Sequence, residues 1–159
     1  MTRQDDAWES DLSDLCEALR ELSLSVVDAR RSLGVLRSAV VSGGTQGVLD
    51  ATAGHEQVSA RIAQLEARRA CAQRAVENAL GVRGLVEIAV DPRIRRYRRE
   101  LQNLMSSVST NVLELRGEES ETSTLLRSAI QTAQRTRREL ARLAGGSGYD
   151  RHGSEVGTT

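Results

Sequence analysis

Two histidines, His55 and His152, and two cysteines, Cys16 and Cys71, are the side chains in this 159-residue chain best suited to acid–base, nucleophilic or metal chemistry. A hydrolase or transferase needs a nucleophile, a base and an orienting group brought together. His152 falls in a C-terminal run of Gly, Ser, Thr and charged residues, which leaves His55 as the internal candidate. It lies on the inner stripe of a predicted helix with no glutamate–histidine metal motif around it, so a packed or partly exposed structural role is expected. The cysteines have neither CxxC spacing nor clustered histidines, which points to reduced, packed thiols. No catalytic residue, metal or cofactor is expected.

Phosphate recognition is the next chemistry to consider. Residues 93–99, Arg-Ile-Arg-Arg-Tyr-Arg-Arg, could track a nucleic-acid backbone and stack a base. Their helical phases also suit a solvated helix with a buried edge, with Ile94, Tyr97 and Leu101 on one face and arginines around the remainder. The Ser-Gly-Gly-Thr-Gln-Gly stretch at 42–47 opens a predicted helix, but it follows a helix and lacks the Gly-Lys-Ser/Thr ending of a phosphate loop. It reads as a turn. Gly81-Val-Arg-Gly84 resembles a nucleic-acid clamp only in outline, without flanking strands, and reads as a helix corner.

The elements that carry these residues are helical. With one proline, no phenylalanine and abundant Leu, Ala, Arg, Glu and Gln, the chain favours helix over sheet, so the fold class expected is all-α. Trp8, Leu12, Leu15, Leu19, Leu22, Val26, Ala29, Leu33, Leu36 and Val40 recur at alternating steps of four and three and form one seam. Such a narrow stripe requires a partner helix of similar length. Ser42, Gly43 and Gly44 break the first helix, and Thr45 offers a cap for a second to about Leu80. Its seam is smaller: Val48, Ala51, His55, Val58, Ile62, Leu65, Arg69, Ala72, Val76 and Ala79. Asp5 or Asp6 can cap the first helix. Asp91-Pro92 marks the start of a third long helix. Its apolar positions lapse through Arg116 to Thr124, with Gly117 inside, which predicts a kink or break.

The expected architecture is an elongated antiparallel bundle of three long helices with a short helical corner. It would form one domain over residues 1–144, with helices near 6–41, 45–80, 84–90 and 92–143, followed by a disordered tail, 145–159. The net charge is zero, so no global field favours nucleic acid or anionic membrane. Residues 1–28 hold eight acids against Arg3 and Arg20, and could attract the arginines at 93–99. An acidic start and no run of 18 apolar residues suggest a cytoplasmic, non-spanning protein. The apolar residues of the last segment, Leu125 to Leu143, allow two readings: a groove for a partner helix, or completion of the bundle.

The middle of the chain resembles the FlgN family of flagellar export chaperones. Val41-Ser42-Gly43-Gly44 is similar to the loop after that family's first helix, and Leu49, Thr52 and Glu56 to the start of its second. Leu65-Glu66-Ala67-Arg68-Arg69 matches the family's Leu-Glu-x-x-Arg, and Leu80-Gly81 its closing Leu-Gly. Order and spacing agree over about residues 8–90. Family members commonly carry asparagines before a Leu-Leu pair in the last helix, whereas Glu118 to Thr124 precede Leu125-Leu126 with none.

The resemblance implies a cytosolic chaperone, without cofactor, that binds hook–filament junction proteins, prevents their premature assembly and escorts them to an export gate protein. It implies a client-binding stripe of Leu125, Leu126, Ala129, Ile130, Ala133, Leu140 and Leu143, with Tyr149 as an analogue of gate-docking tail aromatics. Two other classes stand beside it. One is a coiled-coil or adaptor protein, a homodimer, that self-associates through the Trp8–Val40 seam. The other is an arginine-dependent nucleic-acid binder.

Overall fold

The computed structural model describes residues 7–146. Asp5, Asp6, Tyr149, His152 and all but the first two residues of the expected disordered tail lie outside the described residues. The elements are α1 (Ala7–Ser42), α2 (Thr45–Leu80), α3 (Gly84–Val90), a 3-10 turn (Pro92–Ile94) and α4 (Arg98–Gly146). No strand occurs among the described residues, and the fold is all-α. No described helix is long and apolar enough to cross a membrane. The chain divides into two compact units, one ending at Thr122 and the other beginning at Ser123.

The first unit is built on α1. Leu12, Leu15, Leu19, Leu22, Val26, Ala29, Leu33 and Leu36 are each at most 5 % exposed, as the four-three spacing requires of a seam covered along its length. Near the start of α1, Leu12, Leu15, Cys16 and Leu19 pack with Val76, Leu80, Ile88, Ala89, Ile94 and Leu101. Further along, Leu22 and Val26 pack with Leu65, Ile62, Val108, Val112 and Leu115. Each such aliphatic side chain removed from water contributes about 1.5–3 kcal/mol, so this stripe outweighs every polar contact in the unit.

Polar contacts give the directions. Arg68 reaches Glu17 at 3.0 Å and Glu21 at 3.2 Å, while Ser32 meets His55 at 2.7 Å, so α2 runs antiparallel to α1. The contacts of α4 advance with those of α1: Arg20 to Glu100 at 2.6 Å, Ser23 to Ser107 at 2.8 Å, Arg30 to Glu118 at 2.8 Å and Arg37 to Glu121 at 3.4 Å. Within the first unit α4 is therefore parallel to α1. Among the described residues the acidic start of α1 makes no ion pair with the arginines at 93–99; Glu17 and Glu21 engage Arg68 instead.

The connections follow from local chemistry. Gly81 ends α2 at φ +69°, a left-handed conformation that costs glycine little, and its N–H donates to Glu77 O at 2.8 Å. The α2 N-cap is Gly44, without a side-chain cap, so Thr45 does not fill the capping role expected of it. Leu80 replaces Ala79 on the buried seam, since the larger side chain fills the space under α3. Arg98 donates to Val90 O at 3.0 Å and Asp91 O at 3.2 Å, satisfying carbonyls at the end of α3.

Two expectations about the third long helix are corrected. It begins at Arg98 and not at Pro92, because Asp91 caps only a 3-10 turn, accepting from Arg93 N at 2.8 Å. In such a turn positions i and i+3 eclipse. Ile94 and Tyr97 thus share one face, where Ile94 is fully buried and Tyr97 meets Trp8 edge-on at 6.4 Å. Nor does the helix break at 116–124, where every residue is helical. The heptad of Leu101, Met105, Val108, Val112 and Leu115 continues in register through Glu119 and Thr122. Thr122 is buried there by donating its hydroxyl to Glu118 O at 2.7 Å.

Leu19→Ala should cost about 2–5 kcal/mol, read as a lower urea midpoint followed by circular dichroism; an unchanged midpoint would place the core elsewhere. The Arg93 guanidinium, with help from its amide, holds the Asp91 carboxyl below the usual carboxylate range against the opposing effect of burial. A depressed folded-state value adds stability above the unfolded value, about 3.9, and that stability is lost as pH falls through the folded value. Asp91→Asn should therefore be less stable at neutral pH, and the gap from the parent should shrink as the solution is acidified. A gap of constant size would show that the carboxylate charge is not involved.

Candidate functional site

Among the described residues, His55, Cys16 and Cys71 do not form a common site. His55 is half-buried, and its Nδ1 contacts Ser32 Oγ at 2.7 Å, while that hydroxyl donates to Ala29 O at 2.7 Å. The Ser32–His55 contact joins α2 to α1 as a structural hydrogen bond. Cys16 is buried and its thiol is pushed up to about 11, chiefly by burial, with Glu100 adding to the rise. It is a protonated packing group. Cys71 is exposed and not packed as expected, and both thiols are free. No group of His, Cys, Asp or Glu suited to a metal occurs among the described residues.

The Arg93–Arg99 segment is partly committed to structure. Arg93 donates to Asp91 at 2.7 Å and to Leu80 O, and Arg98 caps α3. The Tyr97 ring stands perpendicular to Trp8, at 88°, and is half-buried in the cluster that includes Leu12 and Leu101. Arg95, Arg96 and Arg99 remain exposed. The stacking platform that would accompany phosphate contacts is thus occupied from within the fold.

Exposed large apolar residues occur in both units: in the first, Leu24, Val35, Val41, Leu49, Val86, Val90 and Leu113 are 59–77 % exposed. In the second unit, described over residues 123–146 of α4, Ile130 is 56 % exposed, Leu140 60 % and Leu143 73 %. Leu125, Leu126 and Ala129 are half-buried, and Ala133 is exposed. Leu126, Ala129, Ala133, Leu140 and Leu143 keep the four-three spacing of a seam, and Ile130 and Leu125 broaden it on either side. All seven residues expected to form a client stripe therefore lie on one face of one helix. Tyr149 lies outside the described residues.

The polar ladder between α1 and α4 escaped the sequence reading. Ser23, Arg30 and Arg37 recur every seven residues, as do Ser107, Glu114 and Glu121, with Asn111 and Glu118 a turn apart from them. Asn111 donates to Ser23 at 3.0 Å, Arg30 pairs with Glu114 and Glu118, and Arg37 donates to Glu118 at 3.3 Å. The signal is present in the sequence as heptads of Ser-Arg-Arg and Ser-Glu-Glu, which apolar periodicity does not contain. Exposed pairs of this kind are worth about 0–1 kcal/mol each, so the ladder sets register and direction more than stability.

Comparison of the chain with protein-family models, with curated proteins and with solved structures finds no match.

Proposed function

We propose that this chain is an export chaperone of the FlgN type, which binds a helical segment of a hook–filament junction protein on the apolar stripe of residues 125–143. It holds the client unassembled in the cytoplasm and delivers it to an export gate, with no cofactor. The resemblance over residues 8–90 supplies the family. The observation that carries the site is the contrast between two seams of one spacing: α1 residues at most 5 % exposed, against Leu140 and Leu143 at 60 and 73 %, with Ile130 beside that seam at 56 %.

Covering the exposed parts of Ile130, Leu140 and Leu143 would contribute roughly 3–6 kcal/mol, with smaller additions from Leu125, Leu126 and the alanines. Association costs about 4–15 kcal/mol in lost freedom, so these apolar contacts need further contacts beside them to hold a client. Self-association through Trp8–Val40 has less to recommend it, because most of that seam is already covered within one chain. A nucleic-acid role would rest on Arg95, Arg96 and Arg99 without a free aromatic platform.

Changing Leu126 and Ile130 together to Asp should weaken binding of a purified hook–filament junction protein by about 100-fold or more, since two carboxylates would be buried against apolar surface. Titration calorimetry measures the loss, and an unchanged urea midpoint shows that the first unit remains folded. Equal affinity for parent and variant contradicts the assignment of this stripe.

A further inference from the structure

The corner between α2 and α4 carries apolar surface and charge that the fold of the first unit does not use. Arg83, Val86 and Val90 follow one another by three and four residues, which puts them on one face of α3. That face is the outer one, since Ile88 and Ala89 are buried whereas Val86 is 70 % exposed, Val90 59 % and Arg83 exposed. Ile88, Ile94 and Leu101 turn into one core cluster. Val86, Val90, Arg96 and Arg99 each stand two residues from one of these three, so each points away from that core. Arg98 ties the start of α4 to the end of α3 by donating to Val90 O at 3.0 Å. The exposed valines therefore have Arg83 at one end and Arg95, Arg96 and Arg99 at the other. The acids within 83–100 are already engaged: Glu87 accepts from Arg83 N at 2.7 Å, Asp91 holds Arg93 at 2.7 Å and Glu100 holds Arg20 at 2.6 Å. The guanidinium groups of Arg83, Arg95, Arg96 and Arg99 are exposed and make no ion pair among the described residues.

We infer that this corner docks a short acidic segment of another protein, with an apolar side chain resting on Val86 and Val90 and carboxylates meeting Arg83 on one side and Arg96 and Arg99 on the other. The surface lies within the first unit and is independent of the stripe at 125–143. Arginine suits the task, because its planar fork holds a carboxylate through two hydrogen bonds. A second copy of the corner would set arginine against arginine and is disfavoured. A nucleic acid would leave the valines without a counterpart, and Tyr97, the aromatic residue among these arginines, is packed edge-on against Trp8. A bilayer is also a poor fit. Interfacial helices bury a long apolar face, whereas α3 has seven residues and offers Val86 and Val90.

The test titrates the full chain, by fluorescence anisotropy, with a labelled peptide Glu-Glu-Ala-Leu-Leu-Ala-Glu-Glu and with its counterpart carrying Lys at every Glu. The Glu peptide should bind about tenfold or more tightly, with the advantage shrinking in added salt. Arg96→Gln with Arg99→Gln should remove most of that advantage, and Arg96→Glu with Arg99→Glu should reverse it. Both changes fall on exposed, unpaired side chains, so an unchanged urea midpoint is expected alongside. Val86→Ser with Val90→Ser should weaken the Glu peptide severalfold, and an unchanged affinity would overturn the place given to the valines. Leu126→Asp with Ile130→Asp should leave this binding as it is, which separates the corner from the stripe. Equal binding of the two peptides, binding of neither, or a preference that survives the Arg96 and Arg99 changes would overturn the proposal. Retention of a DNA duplex or of phosphatidylserine vesicles, lost in the Arg96→Glu, Arg99→Glu variant, together with no peptide binding, would give the corner to nucleic acid or to a membrane instead.

Discussion

The structure depends on the burial of one aliphatic stripe. Eight residues of α1, from Leu12 to Leu36, leave at most 5 % of their surface in water, and the other elements of the first unit are placed by the need to cover them. The antiparallel return of α2 and the parallel run of α4 supply the cover. The corner made by α3 and the 3-10 turn is what allows a third helix to travel with the first. Ile88, Ala89 and Ile94 plug the end of the core there, and Asp91, Arg93 and Arg98 satisfy the polar groups left by the change of direction.

Charge has a different task. The Arg30 and Arg37 contacts with Glu114, Glu118 and Glu121 add little stability individually, but they occur only in one direction and one register. Glu118 serves two arginines at once. Gly117 lies within this stretch, where glycine costs a helix about 1 kcal/mol relative to alanine. Neighbouring ion pairs from Arg30 and Arg37 to Glu114, Glu118 and Glu121 offset that cost across this stretch.

The α1 seam was legible because every position obeys one spacing with large aliphatic residues. The α2 seam was less so: His55 and Arg69 interrupt it, and the choice between Ala79 and Leu80 depends on the space under α3, which spacing does not contain. The start of α4 was misplaced because Asp91-Pro92 opens a 3-10 turn as readily as an α-helix. A kink or break at 116–124 is open from the sequence, because a polar stretch there reads as a boundary or as a solvated part of one helix, although the register persists through Glu119 and Thr122. At the candidate site, the face of Leu126, Ala133 and Leu140 followed from periodicity. Its exposure did not, since the same pattern in α1 is buried; only the fold separates a seam that is covered from one that is open.

An open seam, in a chain whose first seam is closed, is the feature on which the chaperone reading turns. Hydrogen exchange of the full chain with and without a saturating hook–filament junction protein tests it most directly. The account predicts new protection over residues 123–144 and unchanged exchange at Leu12–Leu36. Unaltered exchange over 123–144 with the client bound, or protection gained along α1 instead, would contradict it.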